Sequence, residues 1–344
     1  MLKIIFRADG NCSIGWGHVM RSISIASAYM NHGDECIFVC ADNSMVDIIN
    51  GYGFRTVILN SDYTKMIDEL PVFLKFIDSE KPDLIFFDSY FVNYDYLNSF
   101  KGVYKTVYID DVFSFPYPVN YLVNYNIYAT KDKYEKLYEG NDIPLLCLNI
   151  KYAPLRNEFK GIEKEFSDTV RNVFISVGGS DEYRLVMKII KGLSTEKELI
   201  RNRYYHFIIG SFEPDREAIL NIADNHEWIC IHEKVKNMVD VMKNCDVAVS
   251  AAGSTLYELC ACRVPTITFV LADNQKGGAK GFQDNGLMLD SGDIRENNNG
   301  VENIINGLKH LCNDNSLRKS LFDRMNDLVD GYGADMIVNQ ITVD

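Results

Sequence analysis

Long apolar runs are missing from this 344-residue sequence. It contains only short hydrophobic stretches, such as residues 2–6 and 84–87. About 20 consecutive apolar residues are needed to cross a bilayer. Arg7 and Asp9 follow the first stretch before a signal-peptide core could form. We therefore predict a protein without membrane insertion, and the cytoplasm is its expected compartment.

Basic residues are also scarce. Lys and Arg total 35 against 48 Asp and Glu, which leaves a net charge of −13, and no basic run occurs. This charge has the wrong sign for a protein that holds nucleic acid through its phosphates. Nucleic acid is therefore not an expected partner, although a small anion bound at one local site is compatible with the charge.

Cysteine and histidine pairs at metal-ligand spacing are absent as well. The nine cysteines are odd in number, and most lie in apolar surroundings, as Cys36 and Cys40 do. Cys260 and Cys262 are separated by one residue instead of the two that a zinc or redox pair needs. We predict reduced core thiols, no bound metal and no cofactor.

The sequence does contain a regular alternation of strands and helices. Its length suggests two domains at about 150 residues each, and short runs rich in Val, Ile and Phe alternate with segments of helical period. The predicted strands are residues 2–7, 35–40, 56–59, 84–88, 104–109, 172–177, 204–209, 228–231, 246–250 and 266–270. A helix is predicted over residues 18–31, and the tail from Val301 is predicted to be helical. The expected fold is α/β, with two doubly wound Rossmann-like domains, residues 1–155 and 156–344, facing a central cleft.

The loop after the first predicted strand is rich in glycine and polar residues. Gly15 and Gly17 allow close approach of a ligand, but the spacing does not match the G-x-G-x-x-G dinucleotide fingerprint. Asp9, His18 and Arg21 lie in or beside this loop. A neutral His18 at the end of a strand could take a proton from water. The alternative is that His18 caps or packs the start of the helix.

Two loops of the second half have a similar composition. In Ser176-Val-Gly-Gly-Ser-Asp181, Gly179 and Ser180 could contact phosphate or sugar hydroxyls, while the alternative is a tight turn capped by Ser180 or Asp181. The third loop, residues 250–258, offers Gly253, Ser254 and Thr255 to a diphosphate.

Glu258 lies one helical turn beyond Ser254, where it could accept hydrogen bonds from ribose hydroxyls. Thr255 and Glu258 also fit a capping box, which needs no ligand. A fourth loop, residues 269–275, ends with Asn274 and Gln275 beside the same predicted cleft.

Five motifs together resemble the UDP-sugar hydrolases of pseudaminic acid biosynthesis, a pathway that serves flagellin glycosylation. They are Arg7-Ala-Asp-Gly-Asn-x-x-Ile-Gly-x-Gly-His-x-Met-Arg21, Tyr152-Ala-Pro-Leu-Arg-x-Glu-Phe159, Gly178-Gly-Ser-Asp181, Gly253-Ser-Thr-x-x-Glu258 and Ala272-Asp-Asn-Gln275. That family removes UDP from UDP-2,4-diacetamido-2,4,6-trideoxy-β-L-altropyranose and has the GT-B fold of two-domain glycosyltransferases. The sequence departs from the family pattern at Glu182, Ala252 and Arg263, where proline, glycine and glycine are usual.

The resemblance implies an inverting hydrolase in which His18 is the general base that activates water. It implies substrate contacts for the remaining candidates, with the nucleotide on the second domain: Asp9, Gly17, Arg21, Arg156, Gly179, Ser180, Gly253, Ser254, Thr255, Glu258, Asn274 and Gln275. The alternatives are a GT-B glycosyltransferase that uses a UDP-sugar donor and a sugar-nucleotide binding protein without catalysis. A UDP-sugar is the expected small-molecule partner; the sequence does not decide the oligomeric state, and a monomer is compatible with it.

Overall fold

The computed structural model describes residues 1–11, 13–179, 181–210, 213–296 and 299–341. The chain divides into two compact units. The first unit comprises Met1–Asn157 with Gly331–Asp344, and the second comprises Glu158–Asp330. Each unit is built on a parallel sheet whose strands alternate with helices, which confirms the predicted pair of doubly wound α/β domains. Within the described ranges, none of the helices combines the length and apolar character that crossing a membrane requires.

The first unit contains a seven-stranded parallel sheet in the order β3-β2-β1-β4-β5-β6-β7. Its strands are β1 (Lys3–Ala8), β2 (Glu35–Cys40), β3 (Arg55–Ile58), β4 (Leu84–Asp88), β5 (Thr106–Ile109), β6 (Tyr121–Asn124) and β7 (Leu145–Leu148). Helices α1 (Gly17–Asn31), α2 (Val46–Gly51), α3 (Met66–Glu80), α4 (Tyr94–Asn98) and α5 (Lys131–Leu137) connect them. The central strands β1 and β4 are largely apolar because they are buried. Phe6 stacks on Phe38 and Phe86 of the neighbouring strands.

The second unit contains a six-stranded parallel sheet in the order β10-β9-β8-β11-β12-β13. Its strands are β8 (Asn172–Ser176), β9 (Tyr204–Ile209), β10 (Ile229–Glu233), β11 (Val247–Ala251), β12 (Thr266–Val270) and β13 (Met288–Asp293). Its helices are α6 (Leu185–Ser194), α7 (Lys197–Ile200), α8 (Arg216–Ala223), α9 (Met238–Met242), α10 (Thr255–Ala261), α11 (Lys276–Asp284), α12 (Gly300–Asn313) and α13 (Asn315–Arg324).

The strand order reverses once in each sheet. In the first unit β1 pairs with β4, and in the second unit β8 pairs with β11, although neither pair is consecutive in the chain. At this reversal, the chain segment that follows one strand runs to one side of the sheet and the segment that follows its neighbour runs to the other side. The loops at the carboxyl ends of the two strands therefore diverge and form a crevice between them. The fold therefore predicts one ligand-binding position in each unit, and the glycine-rich loops follow three of these four strands.

All ten predicted strands are present, with ends that shift by up to two residues, whereas β6, β7 and β13 were not predicted. Strands β6 and β7 have only four residues each. Strand β13 has the sequence Met-Leu-Asp-Ser-Gly-Asp and is mostly half-buried, so it lacks the apolar run of a central strand.

The C-terminal helix corrects the predicted domain boundaries. Helix α14 (Gly333–Gln340) belongs to the first unit and packs against α1 and the 3-10 turn Ile150–Tyr152, whereas the sequence predicts one domain over residues 156–344. The two segments approach so closely that a Cβ atom on Gly333 would lie 2.2 Å from the carbonyl oxygen of Ala153. Helical periodicity predicts α14 but carries no information about which sheet it covers.

The departure from the family pattern at Arg263 has a structural explanation. Arg263 has a φ of 51°, in the left-handed region that glycine adopts without cost. Its guanidinium packs 3.8 Å from the ring centroid of Phe322. This cation–π contact offsets part of the backbone strain, since such contacts contribute about 0.5–2 kcal/mol.

Candidate active site

A tight turn carries the chain from β1 into α1. Asn11 and Gly15 exchange two backbone hydrogen bonds of 3.2 and 2.9 Å, and Gly15 has a φ of 76°, which explains the glycine. Gly17 is the first residue of α1 and is exposed. The turn thereby places His18 in the first turn of the helix, directly beside the point where the strand order reverses.

A buried ion-pair network anchors the start of this loop. The guanidinium of Arg7 binds both carboxylate oxygens of Glu69 at 2.6 and 2.8 Å and binds Asp9 Oδ2 at 2.5 Å. Asp9 Oδ1 accepts the backbone N–H of Ala41 at 2.7 Å. Asp9 is only 6% exposed, so both of its oxygens are engaged inside the unit. We therefore interpret Asp9 as a residue that anchors the start of this loop, in place of the predicted substrate contact.

His18 forms a buried pair with Asp88, the last residue of β4. His18 Nδ1 lies 2.5 Å from Asp88 Oδ1, and the two residues are 5% and 1% exposed. Burial alone would raise the pKa of Asp88, but the charges of Arg21 and His18 outweigh it and lower the pKa to about 2. An ionised carboxylate only accepts hydrogen bonds, so Nδ1 is the donor and carries the proton. The neutral imidazole then keeps its lone pair on Nε2, the nitrogen that a general base needs.

Arg21 is held by two carboxylates. Its Nε donates to Asp88 Oδ2 at 2.7 Å, Nη2 donates to Asp88 Oδ1 at 2.6 Å, and Nη1 donates to Asp111 Oδ1 at 3.0 Å. Nη2 also lies 2.8 Å from Asp111 Oδ2, and Nη1 lies 3.1 Å from the hydroxyl of Tyr125. Its approach to His18 Nδ1 at 3.1 Å is a contact without a hydrogen bond, because that nitrogen is protonated.

This arrangement differs from the substrate contact implied for Arg21. Each of its three guanidinium nitrogens faces an acceptor within the first unit, and the residue is 8% exposed. A phosphate would have to displace these carboxylates, at the cost of leaving them buried without a counter-charge. We therefore treat Arg21 as a positioning residue for Asp88.

Four side chains of this site were not among the sequence candidates: Asp88, Tyr90, Asp111 and Tyr125. The ring of Tyr90 stands edge-on to the imidazole of His18, with 4.4 Å between centroids, and its hydroxyl lies 3.2 Å from Asp111 Oδ2. Asp88 and Asp111 each end or follow a predicted strand, which is the signal that could have identified them. Asp111, in the loop after β5, enters the site through its bonds to Arg21 and Tyr90.

In the second unit, the glycine-containing loop after β8 lies at the reversal point and meets the loop after the neighbouring strand β9. Gly178 and Gly179 follow β8 and are exposed, and a Cβ atom on Gly210, after β9, would lie 2.3 Å from the carbonyl oxygen of Gly179. Ser180 lies outside the described residues. Asp181 is buried and accepts the backbone N–H groups of Leu185 and Val186 at 2.7 and 2.8 Å. The N-cap residue of α6 is Arg184, so Asp181 is not the N-cap, although its carboxylate satisfies the first two amides of the helix from three residues before the cap.

The loop after β11 presents Gly253, Ser254 and Thr255. Ser254 precedes the first residue of α10, is exposed, and makes no side-chain capping hydrogen bond. Thr255 is the first helical residue and Glu258 the fourth, so the pair does not occupy the N-cap and N3 positions that a capping box requires. The capping-box alternative was therefore wrong, and the half-buried Glu258 lies on α10 one turn beyond Ser254.

Asn274 and Gln275 lie in the 3-10 turn Asp273–Gln275 after β12. A Cβ atom on Gly278, in α11, would lie 3.9 Å from the carbonyl oxygen of Ala252, so this segment adjoins the loop after β11. Asn274 is exposed, whereas Gln275 Oε1 accepts the backbone N–H of Leu271 at 2.8 Å. The segment after β12 thus adjoins the loop after β11, and Gln275 is partly engaged in its own loop.

The last candidate, Arg156, lies just before the boundary between the two units in the chain. It is half-buried between the 3-10 turns Ile150–Tyr152 and Asn157–Phe159, at the end of the continuous part of the first unit. Its predicted contact with substrate stays a prediction.

Several known proteins are similar to this chain in sequence or in fold. Residues 172–326 match the glycosyltransferase family 28 C-terminal domain. An uncharacterised protein of Methanocaldococcus jannaschii is 26% identical over 80% of this chain, and the alignment spans 56% of that longer protein. The UDP-2,4-diacetamido-2,4,6-trideoxy-β-L-altropyranose hydrolase of Campylobacter jejuni is 26% identical over 81% of this chain and 95% of its own length.

Among solved structures, MurG of Acinetobacter baumannii superposes with a TM-score of 0.70 at 12% identity and covers 99% of both chains. At this identity the likeness concerns the fold, which is that of the GT-B glycosyltransferases. The chain therefore has a GT-B fold, its residues 172–326 match the glycosyltransferase family 28 C-terminal domain, and it is similar over 81% of its length to a UDP-sugar hydrolase.

Proposed function

We propose that this protein hydrolyses a UDP-activated diacetamido-trideoxy sugar at the anomeric carbon and releases the free sugar and UDP. The observation that carries the proposal is the buried pair of His18 and Asp88 at the strand-order reversal of the first unit, with Nδ1 and Oδ1 2.5 Å apart. The relationship to the Campylobacter jejuni hydrolase supports the choice of substrate class. The sugar would enter the biosynthesis of a nonulosonic acid such as pseudaminic acid.

The first unit would supply the base. Nε2 of His18 takes a proton from water while the water oxygen forms a bond to C1 of the sugar, and the bond from C1 to the β-phosphate oxygen breaks. Attack from the face opposite the leaving group inverts the configuration at C1. The imidazolium that forms is stabilised by the ionised Asp88, which already accepts the Nδ1 proton.

The second unit would hold the leaving group. UDP departs with the electron pair of the broken bond, and its charge spreads over the diphosphate, so a strong general acid is unnecessary. Gly253, whose own N–H donates to the carbonyl of Ala251, would allow the diphosphate to approach closely. Backbone amides and hydroxyls of Ser254 and Thr255 would face the diphosphate, and donors aimed at developing charge lower the barrier. Glu258 would accept hydrogen bonds from the ribose, and Gly179, Ser180 and Asn274 would complete the contacts.

The most direct test is incubation of the purified protein with a panel of UDP-linked diacetamido sugars in the absence of any acceptor. We expect stoichiometric release of UDP and free sugar, with inversion visible in the NMR spectrum of the first product anomer. Binding of the UDP-sugar without turnover would contradict the proposal. Turnover that begins only when an acceptor is added would identify a glycosyltransferase, and no turnover even with an acceptor would identify a binding protein.

Replacement of Glu258 by Ala is expected to weaken UDP binding about tenfold, since a hydrogen bond to a carboxylate contributes roughly 1.5–3 kcal/mol. Calorimetric titration with UDP and a melting curve measure the two effects separately. The matched control is Glu302→Ala, an exposed glutamate in the first turn of α12. A fall of several degrees in melting temperature with unchanged UDP affinity would mean that Glu258 only supports the helix.

A further inference from the structure

We propose that Asp111 is a positioning residue for the reaction, because through Arg21 it sets the charge of the His18–Asp88 pair. This inference rests on the proposed function. It concerns a residue of the β5–β6 connection that the mechanism above does not use. Asp111 contacts neither nitrogen of His18 in the described contacts. It acts on the pair through its bonds to Arg21 and through its own charge.

The loop that carries Asp111 is held in place by hydrogen bonds to the side chain of the preceding residue, Asp110. Asp110 is fully buried, and its Oδ1 accepts the backbone N–H groups of Val112 and Phe113 and the hydroxyl of Tyr117, at 2.9, 3.1 and 2.8 Å. Its Oδ2 accepts the hydroxyl of Tyr134 at 2.6 Å. These bonds consume the acceptor capacity of Asp110, so its role is to shape the loop and leave Asp111 facing Arg21.

Asp111 itself is fixed on several sides. Besides Arg21, the side-chain amide of Asn126 donates to its Oδ1 at 2.8 Å, and the hydroxyl of Tyr90 lies 3.2 Å from its Oδ2. Its side chain is 10% exposed. Burial would raise the pKa of Asp111, but the Arg21 guanidinium outweighs that effect and lowers the pKa, so the carboxylate is ionised at neutral pH.

The charges of this cluster can be counted. Asp88 and Asp111 carry two negative charges and Arg21 one positive charge, so the cluster has a net charge of −1 when His18 is neutral and of zero when His18 is protonated. Without the charge of Asp111, protonation of His18 would change the net charge of the cluster from zero to +1. Because the groups are buried, this change of one charge is poorly screened by solvent. Asp111 therefore favours proton uptake by His18.

Asp111 also influences the geometry of the hydrogen bond between His18 and Asp88, because both aspartates bind Arg21. Asp88 Oδ1 accepts from both His18 Nδ1 and Arg21 Nη2, so the guanidinium and the imidazole share one oxygen. Asp111 binds the other edge of the same guanidinium. If Asp111 is neutral, Arg21 is left with one counter-charge, and its attraction for Asp88 grows at the expense of the bond from His18.

The test uses Asp111→Asn in the full-length protein, with Asp132→Asn as the control, an exposed aspartate on α5 of the same unit. We expect kcat for sugar release to fall about tenfold with little change in KM, and the acid limb of the kcat profile to move to lower pH. Asp111→Glu, which keeps the charge, should restore most of the rate and the wild-type position of the limb. Asp111→Ser is a second neutral variant if Asp111→Asn does not fold.

A second readout does not depend on turnover. Nitrogen NMR of labelled histidine in the free protein follows the protonation and tautomer of His18, and we expect the neutral variants to bind the His18 proton more weakly than the wild type and the control. An unchanged titration of His18 in a folded neutral variant would overturn the role of Asp111. Absence of sugar release by the wild-type protein, with the titration of His18 still shifted in the neutral variants, would instead contradict the hydrolase assignment alone.

Discussion

The His18→Gln variant should release UDP from its sugar nucleotide about a hundredfold to ten-thousandfold more slowly than the wild type, the range that general base catalysis contributes. Glutamine is uncharged, of similar length, and can still donate a hydrogen bond to Asp88, so the buried carboxylate keeps a partner. It has no basic nitrogen to take a proton from water. Steady-state release of UDP at substrate concentrations well above KM measures the effect on kcat.

Affinity for UDP is expected to change little in the same variant, because the predicted nucleotide contacts belong to the second unit. The control is His32→Gln, an exposed histidine at the end of the same helix, which should retain the wild-type rate. Loss of UDP binding in His18→Gln, or a matching loss of rate in His32→Gln, would mean that His18 only supports the fold of α1.

Asp88→Asn is expected to reduce kcat by about a thousandfold or more, by the same logic as the aspartate of a Ser-His-Asp triad. An asparagine amide can donate to His18 Nδ1, which favours the imidazole tautomer with its proton on Nε2 and removes the lone pair that the reaction needs. Nitrogen NMR of the imidazole should show that change of tautomer directly. The substitution also leaves Arg21 with Asp111 as its remaining carboxylate, and the loss of one partner from a buried pair costs about 3–5 kcal/mol, which urea unfolding would measure.

Asp83→Asn is the matched control for Asp88→Asn. Asp83 lies just before the other end of β4, is exposed, and accepts a backbone N–H from Lys3. It should keep the wild-type rate and lose little stability. If Asp88→Asn retained a large share of the rate while its imidazole had the altered tautomer, His18 could not be the base.

The arrangement of strands was predictable to different degrees in different places. Buried parallel strands such as β4 are continuous apolar runs, and their signal is local in the chain. Strand β13 is partly polar, and its sequence looks like a loop until it is paired with β12. Helix α14 was predicted as a helix, but its return to the first unit depends on the contact of Gly333 with Ala153, and sequence patterns do not encode such contacts.

The candidate site shows the same division. Glycines after strands, with His18 at the start of a helix, identified the first loop from residue types alone. The sequence could not show that Asp88 would meet His18, because that meeting requires β4 to lie beside β1. Arg21 was predicted as a substrate contact from its place in a motif, and the contacts that engage it within the fold come from distant parts of the chain.

What the sequence by itself determined is therefore the set of parallel α/β units, the loops that follow their strands and the base candidate His18. These features follow from periodicity, glycine content and residue type within short windows. Only the tertiary structure decided the partners: Asp88 and Asp111 are separated from Arg21 by 67 and 90 residues. Charges so far apart in sequence are brought within 3 Å only by the order of strands in the sheet, and at that distance they decide which nitrogen of His18 is free to accept a proton.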